Sequence, residues 1–208
     1  MRPLVILLTL AACSAGTGAA DAPPNTEAAR ETINVSLSLY VVSDGDDDES
    51  RLGTRRSVSD VETIVADMTP IWAQAGIAFD PVRVLKIDIP ADVLADIAST
   101  GRTDAFFAQA GRTFELPDAG AINGFYLREA AGVNGFTPTA SRLFFVVDEP
   151  TVNDERVSSH EIGHILGLHH DPFDRNRLMF SGTNGELLTD VEQLVARYSA
   201  QGIFDGVR

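Results

Sequence analysis

Residues 160–170 read His160-Glu161-Ile162-Gly163-His164-Ile165-Leu166-Gly167-Leu168-His169-His170 and hold all four histidines of a 208-residue chain. Such clustering demands a common cause. On a helix, positions four apart lie on one face with Cβ atoms about 5–6 Å apart, so His160 and His164 can aim an imidazole nitrogen at one cation. Glu161 is displaced around the helix, which sets its carboxylate beside that cation and within reach of a water molecule. Gly167, without a Cβ to clash at positive φ, lets the helix stop and turn, and His170 can then swing back as a third ligand. From this chain's own frequencies, a bare His-Glu-x-x-His arises in about 0.4% of shuffles, and the full pattern with Gly167 and His170 in roughly one in 10^5.

Three neutral imidazoles leave zinc one open tetrahedral position, the mark of a catalytic rather than a closed structural site. Metal-bound water has its pKa lowered to about 7. Glu161 is expected to take its proton during attack on a peptide carbonyl and to pass it to the departing amine. The expected reaction is amide hydrolysis. Imidazole donors favour Zn2+ over harder ions while tolerating cobalt or copper.

Composition narrows the alternatives. The chain is 44% hydrophobic and 22% charged, the balance of one globular domain with a sizeable core. Its net charge of -14 repels a phosphate backbone, so nucleic acid is not an expected partner. The single cysteine, Cys13, excludes a disulfide framework, a thiolate zinc cluster and a CxxC redox centre.

The N-terminus has the layout of an export signal: Arg2, the apolar run Leu4 to Leu10, then Leu10-Ala11-Ala12-Cys13. That ending resembles a bacterial lipobox, which implies an acylated Cys13 as lipid anchor and only membrane contact, and Ser14 after it implies passage to the outer membrane of a Gram-negative cell. Gly18-Ala19-Ala20 offers an ordinary cleavage site instead, releasing a soluble periplasmic or secreted protein. The expected organisation is a signal at residues 1–12, a flexible tether at 13–33 containing Pro23 and Pro24, and one domain at 34–208.

Within the domain, Asn34 to Val42 alternates, with Val35, Leu37, Leu39 and Val41 on one face, and predicts a half-buried strand. The acidic run Asp44 to Glu49 offers oxygen ligands to calcium, yet lacks EF-hand spacing and reads as a solvated loop. Val58, Val61, Ile64, Val65, Met68 and Trp72 predict a helix that Pro70 kinks or interrupts. Ile77 to Ile89 is strand-like with a slip near Val84 and Leu85, Ala91 to Ala110 is weakly helical and broken near Gly101, and Gly132 to Gly135 is a turn. Ile122 to Arg128 and Leu143 to Val147 predict strands, the latter buried on both faces. Val157 to Leu168 predicts a helix. Thr189 to Glu192 is a capping box opening a last helix whose buried side is Val191, Leu194, Val195 and Tyr198.

His160 to His170 matches the metzincin zinc metallopeptidase signature HExxHxxGxxH at every defined position, and Asp171 follows as in some members. Arg177-Leu178-Met179-Phe180, nine residues beyond His170, resembles that clan's Met-turn. Trp72 to Phe79, WAQAGIAF, is similar to its junction of first helix and second strand. The resemblance implies an α+β fold with a twisted mixed β-sheet and two long helices in an upper lobe (34–170). A small lower lobe (171–208) would hold the Met-turn and the final helix. It also implies His170 rather than His169 as third ligand, Gly167 and Met179 as structural support, and a peptide or protein substrate lying along an edge strand, with Ile122 to Gly135 expected to include that edge. Ser181 stands where astacin-like and serralysin-like members carry a tyrosine ligand, and no cysteine-switch pattern surrounds Cys13. The leading expectation is therefore a zinc-dependent endopeptidase. A non-catalytic zinc-binding adhesion or interaction module is the alternative, and a peptidase acting on cell-wall peptides a third.

Overall fold

A computed structural model describes residues 31–45, 52–113 and 120–204. The expected signal, Cys13, nearly all of the expected tether, and Asp46 to Glu49 lie outside the described residues. No described helix is long and apolar enough to cross a membrane.

The described chain runs β1 (Ile33–Ser43), α1 (Val58–Ala73), β2 (Ile77–Asp88), α2 (Ala91–Thr100), α3 (Asp104–Thr113), β3 (Ile122–Leu127), β4 (Gly135–Phe136), β5 (Leu143–Val147), α4 (Asp154–Ile165) and α5 (Asp190–Phe204). The strands form one mixed sheet in the order β2-β1-β3-β5-β4. β2, β1, β3 and β5 are parallel and β4 is antiparallel to β5. This is the α+β architecture that the sequence implies, with α1 and α4 as long helices on one face and α2 and α3 on the other.

Covering both faces changes the reading of β1. It is not half-buried: Ser38, Tyr40, Val42 and Ser43 are buried as well as Val35, Leu37, Leu39 and Val41. One set packs with Val61, Ile64, Met68 and Trp72 of α1 and Val157 and Ile162 of α4. Tyr40 and Val42 pack instead with Leu94 and Ile97 of α2, Phe106 of α3, and Phe125 and Phe145. Interior parallel strands lose the polar-out signal in this way because neither face meets water.

Local chemistry accounts for the helices. α1 opens on a capping box in which Asp60 N–H donates to Ser57 Oγ at 3.2 Å and Ser57 N–H to Asp60 Oδ2 at 2.7 Å. Pro70 neither stops nor interrupts it: the helix runs on to Ala73, with Pro70 on its exposed side. There the carbonyl that has lost its partner can turn to water, so the cost of the missing N–H is moderated. The irregularity in β2 lies at Asp80 and Pro81, opposite the Val35 to Leu37 step of β1, and not at Val84 and Leu85. β2 is an edge strand with most side chains exposed, so its alternation says little about register.

α5 carries its expected capping box, with Thr189 N–H donating to Glu192 Oε2 at 2.7 Å and Glu192 N–H to Thr189 Oγ1 at 3.1 Å. The face it buries is not the expected one. Val191, Leu194 and Tyr198 are 69%, 64% and 79% exposed, while Ala196 and Ala200 are fully buried. The small alanines let the helix approach the core closely, and Arg197 Nη1 donates to the Ala75 and Gly76 carbonyls at 2.8 and 3.2 Å, locking that face inward. Two stripes of helical period compete in this segment, and hydrophobicity alone selects the wrong one.

A buried ionic cluster sets the start of α4. Arg56, between β1 and α1, donates to Asp148 at 2.8 Å, to Asp154 at 2.7 Å and to the Val147 carbonyl at 2.7 Å. Asp154 and Glu155 occupy the first turn of α4, where negative charge complements the helix dipole. The helix thus begins one turn earlier than Val157 and is pinned to the end of β5.

Candidate metal centre

α4 ends at Ile165, three residues short of the expected Leu168, because Gly167 takes up φ +83. A left-handed residue there is easy only for glycine. The turn is closed by Leu168 N–H donating to the Gly163 carbonyl at 2.9 Å. Beyond it the chain doubles back and brings His170 over His160 and His164.

The His170 Nε2 lies 3.2 Å from both His160 Nε2 and His164 Nε2. Among the described residues, His160, His164 and His170 are the one group of three or more metal-binding side chains close enough to hold an ion. His169 is exposed and outside the group. Of the acidic run, Asp44 and Gly45 are described, and Asp44 accepts the Leu52 N–H at 3.3 Å, so calcium has no support among the described residues.

The far side of two rings is tied down. His160 Nδ1 lies 2.8 Å from the Leu178 carbonyl and His164 Nδ1 3.0 Å from the Leu168 carbonyl. A carbonyl can only accept, so each Nδ1 carries the proton and each Nε2 presents a lone pair inward. Burial holds the His160 imidazolium off, with a pKa down at about 3, a fall the hydrogen bond to Leu178 partly offsets and Arg156 deepens. His164 is shifted the same way, first by burial. Neutral rings with inward lone pairs are what a metal requires. Zn–N bonds of about 2.0–2.1 Å at tetrahedral angles place two imidazole nitrogens about 3.3 Å apart, so the observed 3.2 Å separations fit.

Glu161 is 5% exposed, and burial raises its carboxyl to about 7, with Thr137 and then Arg156 pulling back. Thr137 Oγ1 lies 2.8 Å from Glu161 Oε2 and 3.0 Å from the Glu161 backbone carbonyl. Thr137 directly follows β4, so the sheet's edge reaches the carboxylate. β4, not β3, is that edge: β3 lies between β1 and β5, which narrows the expected stretch Ile122 to Gly135 to its last residue and Phe136.

Arg177 to Phe180 forms a turn closed by Phe180 N–H donating to the Arg177 carbonyl at 3.2 Å. Met179 within it is fully buried, and its Sδ sits 2.6 Å from where a Cβ on Gly163 would be. Gly163 thereby admits Met179 against α4 beneath the histidines. Asp171 Oδ1 accepts the Phe173 N–H at 2.8 Å, and its own N–H donates to the Met179 carbonyl at 3.0 Å, so it shapes the loop toward that turn.

Two residues at the site were not singled out in the sequence. Thr137 carried no signal, since only folding brings it to Glu161. Arg156 carried one: a guanidinium four positions before His160, on its face of the helix.

No family model matches the chain, and no curated protein matches it. Solved structures do. The crystal structure of archaemetzincin from Methanopyrus kandleri is 16% identical, covering 81% of this chain and 96% of that one, with a TM-score of 0.54. A protein solved as a chaperone-substrate complex is 16% identical with a TM-score of 0.50, covering 84% of this chain, which spans only 36% of its length. Metalloproteinase-II from Bacteroides fragilis scores 0.49 at 12% identity, covering 82% of this chain and 55% of that one, and no argument rests on it. At such identities the likeness establishes the fold: the chain has the fold of archaemetzincin.

Proposed function

We propose that the protein is a zinc-dependent endopeptidase of metzincin type, with His160, His164 and His170 holding the metal and Glu161 as general base and acid. The observation that carries the reading is His170 Nε2 lying 3.2 Å from both His160 Nε2 and His164 Nε2, with a buried carboxylate on the residue after His160. Zinc, when bound, supplies Lewis acidity toward the scissile carbonyl and lowers the pKa of water to about 7. Glu161 accepts the proton of the attacking water and delivers it to the leaving amine. Thr137 holds Glu161 Oε2, which orients the other carboxylate oxygen for that transfer. Gly167 and Met179 support the ligands from below. The peptide adds as a strand to the exposed edge of β4, its backbone hydrogen bonds giving affinity.

Purified protein is expected to hold one zinc per chain and to cleave peptides from a library in a chelator-sensitive manner. Purified peptidoglycan run in parallel separates cell-wall from protein substrates. One zinc with no cleavage of any substrate would favour the binding-module alternative and sink the enzyme reading.

Export and anchoring at Cys13 to the outer membrane belong to the same proposal and are supported by Arg2, the apolar run Leu4 to Leu10, Leu10-Ala11-Ala12-Cys13 and Ser14. Intact mass of the mature chain is expected to show Cys13 at the N-terminus carrying acyl groups, and Cys13→Ser to release the protein from membranes. An unmodified N-terminus at Asp21 would sink the anchor.

A further inference from the structure

Arg156 is 3% exposed, and among the described residues no carboxylate lies within ion-pair distance of it. Its Nε has no hydrogen-bond partner. Burying a guanidinium on such terms is unfavourable, and an apolar side chain would fill the space at less cost. Stability alone does not account for an arginine here.

Its contacts do suggest a use. Nη2 donates to the Leu178 carbonyl at 2.7 Å and also to the Phe180 carbonyl. These two carbonyls flank Met179, so one nitrogen holds the turn on either side of that residue. The Leu178 carbonyl is the same oxygen that accepts from His160 Nδ1. Two donors from successive turns of α4 thus converge on one acceptor, one from Arg156 and the other from the histidine that faces the centre.

We infer that Arg156 is a positioning residue for the metal centre: by clamping the Leu178 and Phe180 carbonyls it fixes the acceptor that sets the tautomer and orientation of His160. A guanidinium suits the task because its fixed planar fork reaches fixed oxygens, whereas an ammonium is a mobile point charge. The inference rests on the metal-binding part of the proposed function. It extends that part to a residue that touches neither metal nor substrate. Loss of a partner that orients a ligating histidine typically weakens metal binding about 10–100-fold.

The test compares wild type, Arg156→Met and Arg156→Lys as purified full mature chains. Zinc affinity is read by competition with a chromophoric chelator, the visible spectrum of the cobalt-loaded protein reports ligand geometry, and thermal unfolding is followed without metal. Arg156→Met is expected to weaken zinc binding about 10–100-fold and to alter the cobalt bands, with the metal-free midpoint unchanged or raised. Arg156→Lys, which keeps a charge but not the fork, is expected to fall between, and it carries the test if the Met variant does not fold. Zinc affinity within twofold of wild type in a folded variant overturns the inference. So does a loss of affinity that merely tracks lost metal-free stability. Wild type that binds zinc but cleaves nothing would sink the peptidase reading and leave the affinity comparison standing.

Discussion

Glu161→Ala is expected to abolish measurable peptide cleavage while zinc remains bound at one ion per chain. The carboxylate belongs to the residue after His160 and lies outside the group that could hold the ion, so truncating it leaves every donor nitrogen in place. A positioned general base contributes about 10^2- to 10^4-fold to the rate, and here one carboxylate serves both proton transfers, so the upper end is expected. The fall should appear in kcat with little change in KM, because Glu161 acts on the proton and not on the bound peptide. Removing the carboxylate also relieves a buried group whose carboxyl burial pushes to about 7, so the variant should fold at least as well as wild type. Metal analysis and initial rates on the same preparation decide the matter. Cleavage at the wild-type rate with zinc retained would remove Glu161 from the mechanism.

The second large effect is loss of the metal itself. His164→Ala is the cleaner of the ligand variants, because His164 is only partly buried at the end of α4 whereas His160 is 6% exposed and bonded to the turn that holds Met179. Two remaining imidazoles make an incomplete tetrahedral set. Zinc affinity should fall by more than the roughly 100-fold that loss of a mere orienting partner can cost, and cleavage should fall with it. Dialysis against a weak chelator followed by metal analysis should find the variant empty and wild type loaded. Retention of stoichiometric zinc by folded His164→Ala would show that the ion is held elsewhere.

Much of this was legible before folding because the information is local. Helical spacing brings His160 and His164 together whatever surrounds them, and Gly167 announces the turn that returns His170. The capping boxes at Ser57 and Thr189 are equally local. What misled was inference about sides. β1 reads as half-buried because its serines and Tyr40 are polar, yet α2 and α3 cover Tyr40 and Val42. α5 reads as burying Leu194 and Tyr198, yet Arg197 and the two alanines turn the other stripe inward. In each case the deciding neighbour lies far away in sequence.

The same division runs through the site. The chain alone determined which residue types occur at ligand spacing and where the helix must end, since those follow from 3.6 residues per turn and from the one residue without a Cβ. Tertiary structure decided the rest: the Leu178 carbonyl that gives His160 its tautomer, the arrival of Thr137 at Glu161 from the sheet's edge, and the grip of Arg156 on the turn around Met179. Hydrogen bonds act over about 3 Å, and no periodicity in a sequence reports which distant atoms folding will bring that close.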